Sequence, residues 1–217
     1  MLSGQKLCFD QIQIMRAAGP HANTENLVVE LRSILKPLDT ETIFPAIQPL
    51  EVELGCGDGS FLLNYAKQHP DRNFIGVERL AGRIRKIDRK GRRTGLKNLR
   101  GVRIESSYFL EYLLPRQSAA ALHIYFPDPW PKRKHWKHRF INERFPELAK
   151  RALAPGGIVY LRTDDKAYFE QMQSVFAAST SFRAVQTPVE VSNLVTDFEE
   201  DFLKRGVPTL RAAYQLI

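Results

Sequence analysis

The stretch EVELGCGDG, residues 51–59, joins a short apolar strand to three glycines at alternate positions. A helical segment, SFLLNYAKQH, follows at once, and Pro70 stops it. Glycine at positions Gly55, Gly57 and Gly59 lets the backbone turn sharply and approach a ligand closely. The stretch therefore predicts the first strand, turn and helix of an α/β sheet that binds a ligand at this turn.

Strands and helices alternate on the C-terminal side of the turn. NFIGVE, VRIE, AALHIYF and GIVYLRT are predicted strands, and residues 80–98 and 143–153 are predicted to carry helices. Two further predicted strands, FRAVQ and LRAAYQLI, flank an acidic helical stretch, DFEEDFLKRG. The pattern has seven strands and predicts a doubly wound sheet with helices on both faces.

The first 46 residues are predicted to be an N-terminal extension, followed by a domain over residues 47–217. Asn23 or Thr24 could cap a helix through LVVELRSIL, which ends before Pro37. The start MLSGQKLCFD does not have the pattern of a signal peptide, and no apolar run has the length of a membrane span. We therefore expect no membrane attachment.

Composition points to an anionic partner. The 217 residues carry a formal net charge of +8, which favours nucleic acid, although a basic solvated surface would give the same number. Cys8 and Cys56 lie far apart and form no metal-ligand or redox spacing. This indicates a reduced, cytoplasmic compartment and no metal site.

Two acidic residues lie near the glycine turn at places that suit a nucleoside ligand. Glu78 ends the second strand, where a carboxylate can accept hydrogen bonds from two ribose hydroxyls. Dinucleotide dehydrogenases favour G-x-G-x-x-G spacing, whereas the spacing here is the G-x-G-x-G of methyltransferases that use S-adenosylmethionine. Glu53 precedes the turn and would lie near the cationic methionine end of that cofactor. The pattern favours a methyl-donor site over an ordinary strand-to-helix turn.

The fourth predicted strand runs into FPDPW, residues 126–130. Ligands of open α/β sheets bind beyond the carboxyl ends of the strands, which is where Asp128 lies. Pro127 and Pro129 fix the φ angle on either side and would hold the carboxylate and the Trp130 ring in place. Asp128 is therefore either a rigid acid beside the methyl donor or a turn residue that bonds its own backbone. The tetrapeptide leaves both interpretations open.

Two clusters of positive charge accompany these turns. One comprises Lys132, Arg133, Lys134, His135, Lys137, His138 and Arg139, and the other comprises Arg83, Arg85, Lys86, Arg89, Lys90, Arg92, Arg93, Lys97 and Arg100. Trp136 lies within the first cluster, and basic residues interleaved with aromatics suit phosphate contact and base stacking. A solvated helix face would usually mix both signs, so the clusters favour nucleic acid over a small acidic substrate.

Together these motifs resemble the bacterial tRNA (guanine-N7)-methyltransferases, from about residue 50 to the C-terminus. Four blocks carry the resemblance: EVELGCGDG with Glu78, FPDPWPKRKH at residues 126–135, GGIVYLRTDD at residues 156–165 and TDFEEDFLKRGVP at residues 196–208. The second block is highly specific. The resemblance implies the Rossmann-like fold of class I S-adenosylmethionine-dependent methyltransferases, with a mixed seven-stranded sheet, and methylation of a guanosine in the variable loop of tRNA.

The resemblance also implies particular contacts. Cofactor contacts fall on Glu53, Gly55, Gly57, Glu78, Ser106 and Asp128, with Ser106 at a position where the family usually has an acid. Substrate contacts fall on Lys132, Asp164, Thr196, Asp197, Phe198 and Glu199, and Asp128 is the candidate catalytic residue. The implied partner is tRNA, bound without a metal, by a monomer or a homodimer.

Other functions fit parts of the pattern. Nucleic-acid adenine amino-methyltransferases also place an acid or amide with prolines after the fourth strand, as [DN]-P-P-[FYW], whereas the order here is P-D-P-W with a basic tail. A dinucleotide-dependent oxidoreductase and an RNA-binding module without catalysis are more distant alternatives. The position of the methylated atom, and binding of S-adenosylmethionine, would separate these functions.

Overall fold

The computed structural model describes residues 26–217. Its strands are β1 Val28–Val29, β2 Leu50–Leu54, β3 Asn73–Glu78, β4 Leu99–Arg103, β5 Ala119–Tyr125, β6 Leu153–Thr163, β7 Phe182–Val185 and β8 Leu210–Leu216. They form one sheet in the order β1-β4-β3-β2-β5-β6-β8-β7. The strands from β1 to β6 pair in parallel, and β8 pairs antiparallel with both β6 and β7. The sheet is therefore mixed and doubly wound, as predicted.

The connections between the strands are mostly helical. The helices are α1 Ser60–Gln68, α2 Ala81–Arg93, α3 Ser106–Tyr108, α4 Phe145–Ala152, α5 Lys166–Ala177, α6 Val189–Ser192 and α7 Asp197–Lys204. A π-helical turn, Phe109–Leu113, continues α3, and a 3₁₀ helix spans Arg133–His138. Within residues 26–217, no helix combines the length and the apolar character that crossing a membrane requires.

Two sequence predictions about the N-terminal part are wrong. The sheet has eight strands rather than seven, and LVVELRSIL contains strand β1 instead of a helix. The backbone of Leu27 explains the difference, because its N–H donates to Asp88 and its carbonyl accepts from the Gly101 N–H at 2.8 Å. Pairing with the sheet edge thus overrides the local helical pattern. The proposed caps Asn23 and Thr24, and also Cys8, lie outside the described residues, and the domain boundary at residue 47 stays a prediction.

The strand order places a ligand crevice at the centre of the sheet. Strand β2 has β3 on one side and β5 on the other, so the direction in which the chain adds strands reverses between β2 and β5. In open α/β sheets such a reversal leaves a crevice at the carboxyl ends of the strands. The glycine turn after β2 and the proline-rich loop after β5 both begin at this point.

Candidate active site

A cavity of about 790 Å³ lies at the carboxyl edge of the central strands. Four of the predicted site residues line it: Gly55 after β2, Glu78 at the end of β3, Ser106 at the start of α3 and Asp128 after β5. The prediction that the glycine turn and the loop after the fourth predicted strand converge on one cavity is confirmed. The roles assigned to these residues stay predictions.

The glycine turn needs glycine at each of its three positions. Gly55, Gly57 and Gly59 have φ angles of 82°, 56° and 79°, a region that other residues rarely adopt. A Cβ atom at Gly55 or Gly57 would meet no atom within 4 Å, so this part of the backbone faces open space. At Gly59 a Cβ atom would lie 2.8 Å from Ile87 Cγ1. The first two glycines thus leave room for a ligand, and the third permits close packing of α1 against α2.

Glu53 is a buried carboxyl group two residues before the turn. Its side chain is 4% exposed, and its Oε2 atom has no hydrogen-bond partner among residues 26–217. Burial raises the pKa of Glu53 to about 8, the nearby Arg162 opposes the rise, and Asp58 adds to it. Glu53 does not line the cavity itself. Its unpaired Oε2 is buried, so a ligand donor could reach it only by entering beneath the turn.

The carboxylate of Glu78 is oriented by the chain that follows it. Oε1 accepts a hydrogen bond from the Leu80 N–H at 2.8 Å, and Oε2 lies 3.5 Å from Arg83 Nη1. Across the cavity, Glu105 caps α3 by accepting from the Tyr108 N–H at 2.8 Å. Ser106 follows this cap at the cavity wall. Glu78 therefore keeps capacity to accept further hydrogen bonds, while the Glu105 carboxylate is committed to the helix.

The backbone around Asp128 adopts an uncommon conformation. Phe126 and Trp130 have φ angles of 51° and 45°, and non-glycine residues held in this region cost about 1–3 kcal/mol each. Within the described chain, no hydrogen bond joins the Asp128 carboxylate to its own backbone. The side chain is exposed and borders the cavity. This arrangement favours the interpretation of Asp128 as a held acid over that of an ordinary turn residue.

The cations of the two basic clusters differ in exposure and in their position relative to the cavity. Lys137 and His138 line the cavity, and the His138 ring lies 5.3 Å from the Trp130 ring. Lys132 is exposed but lies outside the cavity wall. Arg139 is 1% exposed and Arg100 is 3% exposed, so neither can meet a phosphate as the charge clusters suggested. Both side chains instead make their contacts inside the protein.

The predicted substrate block at the start of α7 is largely structural. Thr196 and Glu199 form a capping box, in which each side chain accepts from the other residue's N–H. Glu199 is fully buried, and its two oxygens accept from Arg162 Nη1 at 2.6 Å and Arg211 Nη2 at 2.8 Å. In this conformation the Glu199 carboxylate faces the protein and not the cavity.

Three other predicted substrate contacts are accessible but do not line the main cavity. Phe198 is 52% exposed, and its ring lies 6.3 Å from that of Phe126, a cavity residue. Asp197 is exposed, and its N–H donates to Ser60 Oγ at 3.3 Å, next to the glycine turn. Asp164 is exposed just beyond the carboxyl end of β6. All three lie at the same edge of the sheet as the cavity.

Sequence reasoning missed a chain of buried polar groups under the cavity. Tyr125 lines the cavity, and its hydroxyl lies 2.7 Å from His123 Nδ1. His123 Nε2 lies 2.7 Å from Glu51 Oε2, and Glu51 Oε1 accepts from Arg72 at 2.9 Å. Although burial opposes it, the hydrogen bond and charge of His123, together with Arg72, hold the pKa of Glu51 below its usual value. Polar residues at alternate positions of otherwise apolar strands were the signal for this chain.

The described part of the chain contains no cluster of side chains with the composition of a metal site. No group of three or more histidine, cysteine, aspartate or glutamate side chains that could hold an ion occurs among residues 26–217. The polar side chains that line the cavity include carboxylates, arginines, a lysine, a histidine, two serines and an asparagine, with aromatic rings beside them.

The strand order and the position of this cavity define a Rossmann-like fold of the class I methyltransferase type. Residues 47–212 match the model of a family described as "Putative methyltransferase". Among solved structures, the 16S rRNA methyltransferase KamB superposes with a TM-score of 0.55 at 17% identity, over 78% of this chain and 88% of that one. A 30S ribosomal A1408 methyltransferase from an uncultured bacterium gives a TM-score of 0.53 at 17% identity, with the same coverages. At this identity the likeness concerns the fold alone.

Relatives found by sequence identify the family within the methyltransferases to which the chain belongs. This chain is 34% identical over 170 residues to a tRNA (guanine-N(7)-)-methyltransferase of Sodalis glossinidius. The alignment covers 76% of this chain and 71% of that protein. The proteins of that name from Nitrosomonas eutropha and Chromohalobacter salexigens are 32% and 37% identical, over 77% and 60% of their own lengths. The chain belongs to the tRNA (guanine-N7)-methyltransferase family. The resemblance seen in the sequence motifs is thereby confirmed.

Proposed function

We propose that this protein transfers a methyl group from S-adenosylmethionine to N7 of a guanosine in the variable loop of tRNA, in the cytoplasm. One observation carries the proposal: in a chain of this family, the glycine turn, Glu78 and Asp128 surround a single cavity. The first two suit a nucleoside cofactor, and Asp128 suits a base.

The residues around the turn fit S-adenosylmethionine. The open space at Gly55 and Gly57 admits a ligand against the backbone. Each Glu78 oxygen accepts one hydrogen bond within the protein and keeps a lone pair that can accept from a ribose hydroxyl. The unpaired Oε2 of Glu53 suits the ammonium group of the methionine end. When bound, S-adenosylmethionine supplies an electrophilic methyl group on a sulfonium centre.

Guanine N7 has a lone pair and carries no proton, so the reaction needs no general base. It needs placement of N7 in line with the methyl group, which can contribute about 7–11 kcal/mol in favourable cases. It also needs stabilisation of the positive charge that appears on the purine. The Asp128 carboxylate borders the cavity and can accept from the guanine N1–H and exocyclic amine, which orients the base and offsets that charge.

Exposed aromatic rings beside the cavity can hold an unstacked base. Trp130 is 38% exposed and Phe198 is 52% exposed, on segments that meet through Phe126. Stacking of a base on such a ring is worth about 1–3 kcal/mol. Asp164 and Asp197 are proposed to contact the RNA around this platform. Thr196 and Glu199 are proposed to act by holding α7, which carries Phe198.

Cationic side chains border the cavity on two sides. Arg79, just before α2, and Arg83, in its first turn, line one side, and Lys137 and His138 line the other. Further along α2, a set of exposed cations forms no ion pair within residues 26–217: Arg85, Lys86 and Arg89. An RNA strand that crosses the cavity would meet positive charge on both sides. Lys132 lies beside the second side and is the proposed phosphate contact there.

The test is incubation of the protein with labelled S-adenosylmethionine and unmodified tRNA, followed by aniline cleavage. We expect incorporation of one label per tRNA and cleavage at a variable-loop guanosine. Label on an adenine amine, with no aniline cleavage, would support the amino-methyltransferase alternative. Binding of tRNA without any incorporation would support an RNA-binding module, and the proposal would be refuted in either case.

A further inference from the structure

Arg139 is a buried cation at the wall of the cavity. Its guanidinium lies between two aromatic rings, 4.4 Å from the Trp136 centroid and 4.6 Å from the Tyr168 centroid. Nη1 donates to Gln171 Oε1 at 2.7 Å, and Nη2 lies 3.9 Å from Asp165. The side chain is thus fixed on α5 and on the cap that precedes it, with no free face for a phosphate.

The remaining donor of Arg139 reaches the loop that carries Asp128. Nε donates to the Pro129 carbonyl at 2.7 Å. Within the described chain, this is the one hydrogen bond made to residues 127–131. Phe126 and Trp130, on either side of Asp128, both have positive φ angles, and such a conformation persists only when its surroundings hold it.

We propose that Arg139 is a positioning residue, which fixes the Pro129 carbonyl and thereby holds the Asp128 carboxylate at the cavity. The proposal rests on the proposed function for its kinetic consequence. Arg139 touches neither guanine nor the methyl donor, and its substitution acts through the place of Asp128. A planar guanidinium is required because only it can stack between two rings while donating along three directions.

The matched experiment compares Arg139→Lys with the neutral control Arg116→Lys and with Arg133→Met. Arg133 is an exposed cation of the same segment, and its guanidinium carbon lies 5.7 Å from the Trp136 ring centroid. We expect Arg139→Lys to lower kcat on the order of 100-fold, the usual effect of misplacing a reacting group by about 1 Å. The KM for tRNA and its salt dependence should hardly change. Arg133→Met should raise KM and reduce the salt slope with little effect on kcat. Arg116→Lys, at an exposed arginine outside both basic clusters and outside the cavity lining, should resemble wild type.

A double-mutant cycle with Asp128→Asn separates positioning from general damage. If Arg139 acts through Asp128, Arg139→Lys should lower kcat less than about threefold in the Asp128→Asn background, since coupled residues are not additive. A full 100-fold loss in that background would overturn the proposal. So would a pure KM effect, which would identify a phosphate contact instead. Circular dichroism and thermal unfolding would show whether each variant is folded. If Arg139→Lys does not fold, Arg139→Gln takes its place in the comparison.

Crystallography tests the positioning role of Arg139 independently of any assay of methyl transfer. Crystal structures of wild type and Arg139→Lys should differ in the position of Asp128, with β2, β5 and the glycine turn unchanged. An unmoved Asp128 would refute the proposal even if the variant were inactive. If wild type did not methylate tRNA, the proposed function would fail, yet the displacement of Asp128 would still decide the role of Arg139.

Discussion

Replacement of Glu53 by glutamine should make the protein more stable and less able to bind its cofactor. Glu53 is buried, one of its oxygens lacks a partner within residues 26–217, and its pKa is raised to about 8. At neutral pH folding therefore keeps this carboxyl protonated. Glu53→Gln keeps the size of the side chain and removes the titration.

The size of the effect follows from the pKa difference. Holding a carboxyl with a pKa of about 8 protonated at pH 7, against an ordinary value of 4.5, costs about 3 kcal/mol, at about 1.4 kcal/mol per pKa unit. Because the folded state binds the extra proton, this group lowers stability as the pH rises from about 4.5 to about 8, and it has no further effect above that. In a chain of this size, 3 kcal/mol corresponds to about 6–12 °C in Tm.

Thermal and urea unfolding between pH 4.5 and pH 9 would test this. We expect Glu53→Gln to be more stable than wild type at pH 7, with the difference shrinking to nothing near pH 4.5. Glu170→Gln, at an exposed site on α5, is the matched control and should change neither stability nor its pH dependence. A Glu53→Gln protein that is less stable than wild type at pH 7 would refute the assignment of a protonated, unpaired Glu53.

The same variant should bind S-adenosylmethionine about 10- to 100-fold more weakly, since it loses a charged hydrogen bond. Wild type should bind more tightly as the pH rises towards 8, because an ammonium group pairs with the ionised form of Glu53. Titration calorimetry in buffers of different ionisation enthalpy would reveal the released proton. Proton release that persists in Glu53→Gln would assign it to another group.

The remaining predictions concern Asp128, Lys132 and Glu199. Asp128→Asn should lower kcat on the order of 100-fold or more with an unchanged Tm, and near-normal turnover would remove Asp128 from the mechanism. Lys132→Ala should raise the KM for tRNA and reduce the salt slope of binding by about 1, so an unaltered slope would argue against a phosphate contact. Glu199→Gln should lose about 3–5 kcal/mol in urea unfolding, because Arg162 and Arg211 lose their buried partner. A stable but inactive Glu199→Gln would instead indicate direct contact with substrate.

Local sequence patterns were sufficient to predict the elements that depend on residues close together in the chain. The strand Leu50–Leu54, the glycine turn and the helix Ser60–Gln68 follow from apolar runs and glycine positions. The edge strand Val28–Val29 did not, because only its pairing with Gly101 and Val102 makes it a strand. The helix Lys166–Ala177 was not predicted, although Asp165 is a good capping residue for it.

Residue types in the motifs indicated the cavity but not the burial of each charge. Lys137 and Arg139 belong to the same basic run, yet Lys137 is exposed, whereas Arg139 is buried between Trp136 and Tyr168. The enclosing Tyr168 comes from a helix far along the chain. Burial of this kind depends on tertiary contacts, which a pattern of charges in one segment does not contain.

The same reasoning separates Asp128 from Glu199, two of the carboxylates for which the resemblance implied contact with the substrate. A base edge that approached Glu199 would have to displace hydrogen bonds from Arg162 and Arg211, both charged, and would break the cap of α7. Exchange of charged donors for neutral N–H groups in a buried site is unfavourable. Asp128 has no such competitor among the described residues, and its loop is fixed from behind by Arg139. The acceptor for guanine should therefore be Asp128, with Glu199 acting at a distance by presenting Phe198.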